Sequence, residues 1–474
     1  MPLRLYNTRT RSTQSFVPLR DDGVRIYVCG LTPSAQAHLG HARSFIFFDL
    51  LRRYLLHRGY RVTYVQNVTD IDDRSIAAAA ETGKRWDEVV AQFYASFKDS
   101  MKKLGVRDPD VEPYATRYVP QIIETIASLL ERGHAYVAQD GVYYRVASFP
   151  SYGELSHRRI EELEAGARVA IDEAKDDPLD FALWKFAKPG EPSWPSPWGS
   201  GRPGWHIECS AMSRALLDPE GIGFDIHGGG ADLIFPHHEN EVAQSEPLME
   251  RPPMAQFWVH GGLLLRDGKK MSKSLGNFEP LAQVLDRHDP QAVRLMFLQT
   301  GYGKVMNYTE ESLLAARSVL ERLKASYRAA ASARGPGTGG ALLARIEAAL
   351  DDDMNTAVAL SALLDAKARE AGVEELYSAL DLLGLTPDVA WEQSPIAALP
   401  PQFLERVAAE LSVGPGIDLD ATKPQEVLER LIALRVQARA RKDWAESDRL
   451  RKALAAGGIE VHDDREGTTW SVVS

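Results

Sequence analysis

Cysteine is scarce in this sequence: only two occur among 474 residues, Cys29 and Cys209. So few cysteines exclude a disulfide-stapled scaffold. Inert burial is the commoner fate of a free thiol, and that interpretation stays open for both residues. Each nevertheless lies in a polar, turn-rich stretch rather than in an apolar run.

Long apolar runs and an excess of positive charge are also lacking. No stretch reaches the length of a transmembrane helix, and the first residues lack the apolar core of a signal peptide. We therefore expect a cytoplasmic protein without membrane association, in which a disulfide is disfavoured. Acidic residues outnumber basic ones, 66 to 55, for a net charge of −11. Contact with nucleic acid would therefore need local basic patches, and the length predicts several domains.

The stretch Arg25–His41 has the pattern of a strand, a loop and a helix start. It predicts a buried strand over 24–28, a loop beginning at Cys29 and a helix opening near His38. A second apolar run over 62–65 completes a strand–helix–strand unit of the doubly wound kind. A later glycine loop, after 224–227, lacks the Gly-x-Gly-x-x-Gly spacing, so NAD binding is not supported.

His38 and His41 flank the predicted start of this helix, with Gly40 between them. The free N–H groups of a helix N-terminus attract phosphate, and glycine allows a ligand to approach the backbone closely. A pair of helix-capping histidines without a ligand explains these residues equally well when they are considered alone.

A second motif lies at Arg266–Asn277, where an Asp-Gly turn precedes Lys270, Ser272 and Lys273. Alone, such a loop is usually a solvated surface. Together, His-Leu-Gly-His and Lys-Met-Ser-Lys-Ser resemble the two signatures of class I aminoacyl-tRNA synthetases. The surrounding residues, from about Ile26 to Trp470, resemble the cysteine-specific members of that family.

The resemblance implies roles for particular residues. The catalytic residues would be His38, His41, Lys270 and Lys273. ATP, with Mg²⁺, would be bound by these four and by Ser272. The substrate pocket, by family position, would contain Gly30, Thr32, Thr69, Trp205, Gly230 and Asp232.

A metal site is predicted from two separate patterns. His237 and Glu241 are four residues apart and share one face of a helix that Pro236 is suited to begin. With the two cysteines they form a ligand set that suits tetrahedral zinc. Spacing alone does not exclude His238. The resemblance implies one zinc ion per chain, held by Cys29, Cys209, His237 and Glu241, and implies that zinc–sulfur bonding distinguishes cysteine from serine.

The implied fold class is α/β: a class I Rossmann-type nucleotide-binding catalytic domain with an inserted connective peptide, then an α-helical bundle and a small C-terminal α+β unit. The expected domains are a split catalytic domain (1–115 and 204–290), the insertion (116–203), a stem-contact region carrying the end of the catalytic module (291–334), a tRNA-binding helical bundle (341–410) and an anticodon-binding unit (420–474). Local patterns predict helices over 86–104, 116–132 and 428–455, and hairpins over 135–146 and 459–470.

Basic residues are concentrated near the C-terminal end. Seven occur within 435–452, against three acids. Trp444 and Trp470 offer stacking surfaces for unpaired bases. An ordinary solvated helix face is the alternative to RNA contact.

The implied reaction activates L-cysteine with ATP to cysteinyl-AMP and transfers it to tRNA(Cys), and the implied enzyme is a monomer. Two alternatives stay open. Leu31–Ser34 departs from the family's usual Pro-Thr-Val-Tyr, which favours a sister enzyme that joins cysteine to a glucosaminyl inositol in mycothiol synthesis, although that enzyme generally lacks the C-terminal unit. The other alternative is an inactive cysteine-sensing or RNA-binding paralogue, against which the intact signature residues argue.

Overall fold

The structure, a computed structural model, describes residues 2–159, 175–270, 278–333, 340–365, 371–392, 402–411, 424–464 and 467–472. The chain divides into two units. The first comprises 1–313, 343–362 and 379–385, and the second comprises 314–342, 363–378 and 386–474. None of the described helices combines the length and apolar composition needed to cross a membrane.

The secondary structure alternates between strands and helices in the first half and is mostly helical afterwards. The strands are β1 (Arg4–Asn7), β2 (Ser12–Ser15), β3 (Val24–Leu31), β4 (Val62–Val68), β5 (Ala135–Val137), β6 (Gly141–Tyr144), β7 (Phe181–Phe186), β8 (Gly201–Pro203), β9 (Phe224–Gly230), β10 (Ala255–Gly261), β11 (Leu264–Arg266), β12 (Lys269–Lys270), β13 (Met306–Tyr308), β14 (Ile459–Asp464) and β15 (Gly467–Val472). The helices are α1 (Leu39–His57), α2 (Asp73–Thr82), α3 (Trp86–Lys103), α4 (Val119–Glu131), α5 (Trp205–Leu217), α6 (Glu239–Ser245), α7 (Leu281–Arg287), α8 (Pro290–Leu298), α9 (Glu310–Ala333), α10 (Ala341–Asp351), α11 (Thr356–Leu364), α12 (Val373–Leu382), α13 (Val389–Glu392), α14 (Phe403–Leu411), α15 (Pro424–Ala440) and α16 (Trp444–Ala456).

A four-stranded parallel sheet of order β10-β9-β3-β4 is the core of the first unit. Strand β3 is central, and Val28 pairs with Gln66 on one side and Gly228 on the other. Strands buried on both faces are typical of doubly wound sheets. The predicted α/β class is therefore confirmed.

Strand β3 extends further than the sequence predicted. The loop expected from Cys29 is wrong, because the strand continues to Leu31 through a register shift after Val28. That irregularity keeps Leu31 paired with Val68, so Cys29 stays in the sheet. The helix start near His38 is confirmed, because His38 has extended backbone angles and caps α1.

A second, antiparallel sheet lies between the two halves of the parallel sheet in sequence. Its order is β5-β6-β7-β8, and the β5–β6 hairpin forms where Asp140-Gly141 predicted a turn. Buried Tyr144 and Trp184 pack with Ile126 of α4 in one apolar cluster. The predicted helices over 86–104 and 116–132 are confirmed as α3 and α4.

The second unit ends in a helix pair and a hairpin. The helical stretch predicted over 428–455 is confirmed, but as two helices: α15 and α16 are separated by a turn in which Lys442 has φ of +60° and Asp443 caps α16. The predicted final hairpin is confirmed as β14–β15. Arg435 and Arg439 both bind Asp463, so part of the predicted basic patch forms internal ion pairs.

A buried guanidinium connects three segments of the first unit. Arg294 of α8 is fully buried and donates hydrogen bonds to Asp49 Oδ2 at 2.6 Å, to the Leu383 carbonyl at 2.9 Å and to the Leu104 carbonyl at 3.1 Å. Burial alone would raise the pKa of Asp49, but Arg294 and Arg53 hold it below its usual value. The Asp49 carboxylate is therefore a buried charge that requires its partners.

We expect Arg294→Met to lower the free energy of unfolding of this unit by about 3–5 kcal/mol, because it leaves a buried charge and two carbonyls without their donor. Urea denaturation measures the change. The matched control is Arg287→Met on neighbouring α7, where an exposed guanidinium binds Glu279 and its loss is expected to cost about 0–1 kcal/mol. Equal losses in the two variants would contradict this account of Arg294.

Candidate active site and metal centre

The carboxyl ends of the four parallel strands meet at one edge of the sheet. Cys29 and Gly30 lie at this end of β3, Thr69 follows β4, and Gly230 ends β9. This edge is where open α/β sheets bind ligands. The fold thus brings together residues that the sequence separates by about two hundred positions.

His38 and His41 stack on each other at the N-terminus of α1, with ring centroids 3.9 Å apart. Each uses its Nδ1 as an acceptor: His38 Nδ1 accepts from the Gly40 N–H at 3.0 Å, and His41 Nδ1 accepts from the His38 N–H at 3.2 Å. Burial lowers the pKa of both rings, that of His41 to about 3. A neutral ring whose Nδ1 accepts must carry its proton on Nε2. Both histidines therefore retain an Nε2–H donor.

Asp232 and Gly230 lie beside this histidine pair. Burial lowers the pKa of His38, and the Asp232 carboxylate opposes that effect, so its charge acts on the ring. A Cβ at Gly230 would lie 2.5 Å from Asp232 Oδ1, so a side chain there would displace the carboxylate. The two residues that the resemblance placed in the substrate pocket thus adjoin His38.

The second signature motif is described only in part. Ser272 and Lys273 lie outside the described residues, and Lys270 is described in backbone alone, as the end of β12. The Asp-Gly turn before it is confirmed, with Asp267 and Gly268 both at positive φ. Beyond the undescribed segment, Phe278 packs edge-on against the His38 ring at 5.8 Å.

Arg43 of α1 connects the first signature to the segment that leads into the second. Its guanidinium is buried and donates to the carbonyls of Gly262 and Leu263, each at 2.9 Å, and to three carbonyls within 301–304. Burial lowers its pKa to about 10. The sequence analysis did not identify this residue, because its partners are backbone carbonyls.

The four predicted metal ligands converge in the interior. Cys29 Sγ lies 3.6 Å from Cys209 Sγ, 3.5 Å from His237 Nε2 and 3.4 Å from Glu241 Oε1. His237 Nε2 lies 3.1 Å from Glu241 Oε1, and all four residues are buried. The chain reaches this geometry because Phe235 is extended and the turn containing Pro236 leads directly into α6. The cluster could hold a metal ion.

The electrostatics of the cluster favour the deprotonated forms of Cys209 and Glu241 only. Burial opposes a charge on His237, but the negative charge of Cys209 prevails and raises its pKa. Burial raises the pKa of Cys29. For Cys209 burial acts in the same direction, but the hydrogen bond from Cys29 and the charge of His237 prevail and lower its pKa. Burial would raise the pKa of Glu241, but His227 and His237 keep it well below its usual value. One thiolate and one carboxylate are thus favoured before any cation binds.

A second group of potential ligands shares two members with the first. Cys29, His227, His238 and Glu241 also place their ligand atoms within 4.8 Å of one another. His227 Nε2 lies 2.9 Å from Glu241 Oε2, and His238 Nε2 lies 4.0 Å from Glu241 Oε1. The sequence analysis gave His227 no role, since nothing in its spacing points to Glu241.

The other predicted pocket residues lie at the ends of the elements that carry the two cysteines, β3 and α5, and at the end of β4. Trp205 begins α5, and its ring lies 4.4 Å from that of His237. Gly30 packs so closely that a Cβ would lie 1.7 Å from the Asn67 carbonyl oxygen, so no other residue fits. Thr69 is buried and accepts from Asn67 Nδ2 at 3.3 Å. Thr32 follows β3 and is half-buried.

Known proteins share both the sequence and the fold. The family described as tRNA synthetases class I (C) catalytic domain matches residues 15–318. The cysteine–tRNA ligases of Stutzerimonas stutzeri (strain A1501) and Alkalilimnicola ehrlichii are 45% and 46% identical to this chain, and each alignment covers 99% of both proteins. Among solved structures, Mycobacterium tuberculosis methionyl-tRNA synthetase in complex with methionyl-adenylate has a TM-score of 0.56 at 16% identity, over 84% of this chain and 98% of that one.

The solved structure supports the fold alone. The family match and the two relatives also show the family. Identity of this level along nearly the whole chain, with the catalytic-domain match, makes the relationship unambiguous. The chain belongs to the cysteine–tRNA ligase family of class I aminoacyl-tRNA synthetases.

Proposed function

We propose that this ligase activates L-cysteine with ATP to cysteinyl-AMP and transfers the cysteinyl group to tRNA(Cys), working as a monomer in the cytoplasm. The observation that carries the proposal is the buried cluster of two thiols, an imidazole and a carboxylate at the carboxyl end of β3, the strand that leads into α1 and its histidine pair. A group suited to a thiol-bearing substrate and a group suited to phosphate thus lie at the same edge of the sheet. The family relationship supports the same reaction.

The donor set suits zinc. In a tetrahedral site with Zn–S bonds of about 2.3 Å and Zn–N or Zn–O bonds of about 2.0 Å, two sulfurs lie about 3.8 Å apart, sulfur and nitrogen or oxygen about 3.5 Å, and nitrogen and oxygen about 3.3 Å. Here the two sulfurs lie 3.6 Å apart, and Cys29 Sγ lies 3.5 Å from His237 Nε2 and 3.4 Å from Glu241 Oε1. The distance between His237 Nε2 and Glu241 Oε1 is 3.1 Å. Zinc held by Cys29, Cys209, His237 and Glu241 would supply a soft Lewis acid that prefers sulfur to the hydroxyl of serine.

The protein's own residues position the reacting groups for activation. The cysteine carboxylate attacks the α-phosphorus of ATP, the bond to the β-phosphate oxygen breaks, and pyrophosphate leaves. His38 and His41 donate their Nε2–H groups to phosphate oxygens as negative charge shifts onto the leaving group. We assign Lys270, Ser272 and Lys273, with Mg²⁺, to the same phosphates. Gly30, Thr32, Thr69, Trp205, Gly230 and Asp232 would contact the amino acid and the ribose.

Transfer then requires a hydroxyl acceptor. The terminal adenosine of tRNA supplies it: the hydroxyl oxygen attacks the adenylate carbonyl, AMP leaves, and the hydroxyl proton is released. The relatives match the chain over 99% of its length, the C-terminal unit included, which favours a tRNA acceptor over a glucosaminyl inositol. We assign the tRNA contacts to the domains expected at 291–334, 341–410 and 420–474.

Cysteine-dependent ATP–pyrophosphate exchange, followed by transfer of labelled cysteine to tRNA(Cys), tests the proposal. Both activities are expected. Exchange without charging of tRNA would favour the small-molecule acceptor instead. Absence of exchange in the zinc-loaded protein would contradict the catalytic assignment of both signature motifs.

His41→Asn is expected to slow exchange by about 10²–10³-fold. Asparagine can still accept from the His38 N–H but lacks a donor at the Nε2 position, so the helix cap is preserved while the phosphate contact is lost. The KM for cysteine should stay unchanged. His57→Asn, at the other end of α1 and bonded to Glu347, is the control. If both variants keep wild-type rates, His41 does not contact the phosphates.

Removal of the metal is expected to abolish discrimination between cysteine and serine. Protein stripped with a chelator should bind cysteine more weakly and no longer prefer it to serine, and added Zn²⁺ should restore both the affinity and the preference. Equilibrium dialysis with labelled cysteine and serine measures both affinities, and elemental analysis measures the zinc content. Unchanged cysteine affinity in metal-free protein would refute the proposed role of the metal.

A further inference from the structure

Two overlapping ligand sets raise the question of what selects one of them. Both contain Cys29 and Glu241, and they differ in whether the cluster is completed by Cys209 and His237 or by His227 and His238. We propose that the Thr8 hydroxyl makes this selection, by fixing a hydrogen-bond chain that presents an N–H group of His238, rather than a lone pair, to Glu241. The inference rests on the metal centre proposed above.

The hydrogen-bond chain consists of three side chains, those of Thr8, His260 and His238. Thr8 Oγ1 lies 2.7 Å from His260 Nδ1, and His260 Nε2 lies 2.7 Å from His238 Nδ1. Both rings are buried, and His238 Nε2 has no hydrogen-bond partner among the described residues. It faces Glu241 Oε1 at 4.0 Å. The hydrogen-bond chain therefore connects the N-terminal hairpin to the edge of the metal cluster.

When the rings of His260 and His238 are neutral, the two hydrogen bonds of this chain can be donated in only two directions. If Thr8 donates, His260 Nε2–H donates to His238 Nδ1, and His238 carries its remaining proton on Nε2. If Thr8 accepts, the order reverses, and His238 Nε2 presents a lone pair. The protonation state of one distant nitrogen thus depends on one hydroxyl.

Electrostatics selects the first direction at both ends. An N–H directed at the Glu241 carboxylate is attracted by its charge, whereas a lone pair there would be repelled. At the other end, an accepting Thr8 would leave its hydroxyl hydrogen without a protein acceptor in the described part of the chain. When Thr8 donates, its hydroxyl hydrogen has an acceptor, and His238 directs an N–H group rather than a lone pair at Glu241.

The backbone of Thr8 is fixed for this role. Its N–H donates to the Trp258 carbonyl at 2.9 Å, and its carbonyl accepts from His157 Nε2 at 3.0 Å. Asn7 adds a further attachment by accepting the Trp258 N–H at 3.2 Å. The β1–β2 hairpin is thereby held against β10, which carries His260.

His227, the other histidine of the second ligand set, also directs an N–H group at Glu241. His227 Nε2 lies 2.9 Å from Glu241 Oε2, and this contact with a carboxylate requires an N–H. Both histidines of that set therefore direct N–H groups at Glu241. The hydrogen bond from His227 holds the carboxylate in place. Because neither ring offers an Nε2 lone pair, His237 is left as the imidazole ligand.

Thr8→Val removes the donor at nearly constant volume and tests the proposal. Once the hydroxyl is absent, neither tautomer of His260 has a partner at Nδ1, so this end no longer fixes the direction of donation, and the tautomer of His238 that offers a lone pair to the metal becomes accessible. We expect about tenfold weaker zinc binding in chelator competition. We also expect altered visible absorption bands in the Co²⁺-substituted protein, because the ligand set changes. Thr8→Ser keeps the hydroxyl and should restore both wild-type values.

Thr10→Val is the matched control, since Thr10 lies on the same hairpin and, among the residues that the structure describes, its hydroxyl bonds only to hairpin groups. If Thr8→Val fails to fold, His260→Phe interrupts the same chain and should give the same spectral change. Wild-type affinity and spectrum in the interrupted variants would overturn the inference about Thr8. Absence of Zn²⁺ and Co²⁺ binding in the wild-type protein would overturn the proposed metal centre itself, and the inference with it.

Discussion

The Glu241 carboxylate is a charge held entirely out of water, and the arrangement of the site follows from that constraint. Burying an unpaired carboxylate is prohibitively costly. Here His227 binds one oxygen, while His237 and Cys29 approach the other. These partners come from β9, the start of the α6 segment and β3, so satisfying one charge fixes three elements against one another.

The parallel sheet places two different chemistries side by side. Its carboxyl edge carries a soft sulfur donor, Cys29, at the end of β3, and α1 begins a few residues later with two imidazole donors. One edge of the sheet therefore carries both a group suited to a thiol and a pair of donors suited to phosphate. Arg43 adds rigidity by attaching α1 to the loops at 262–263 and 301–304 through five carbonyls.

Much of this arrangement could be predicted from the sequence, because periodicity and short motifs specify local structure. The helix start at His38, the hairpin at Asp140-Gly141 and the convergence of Cys29 with Cys209 were all expected. The extension of β3 through Cys29 could not be predicted, since a register shift depends on the neighbouring strand. The break between α15 and α16 was missed because helical periodicity continues across it.

Buried polar connections were the least predictable feature. Thr8, Arg43 and His260 contribute through partners that lie far away in sequence, many of them backbone carbonyls, and no spacing rule reveals such contacts. The choice that we infer between His237 and His238 likewise depends on tertiary hydrogen bonds rather than on how far each residue lies from Glu241 in the sequence.

X-ray absorption at the zinc edge tests the central claim most directly, that the metal centre recognises the substrate through sulfur. The zinc-loaded protein should show two sulfur ligands without substrate, from Cys29 and Cys209, and a third when L-cysteine is added. L-serine should add none. A sulfur count that stays at two with saturating cysteine would contradict the account.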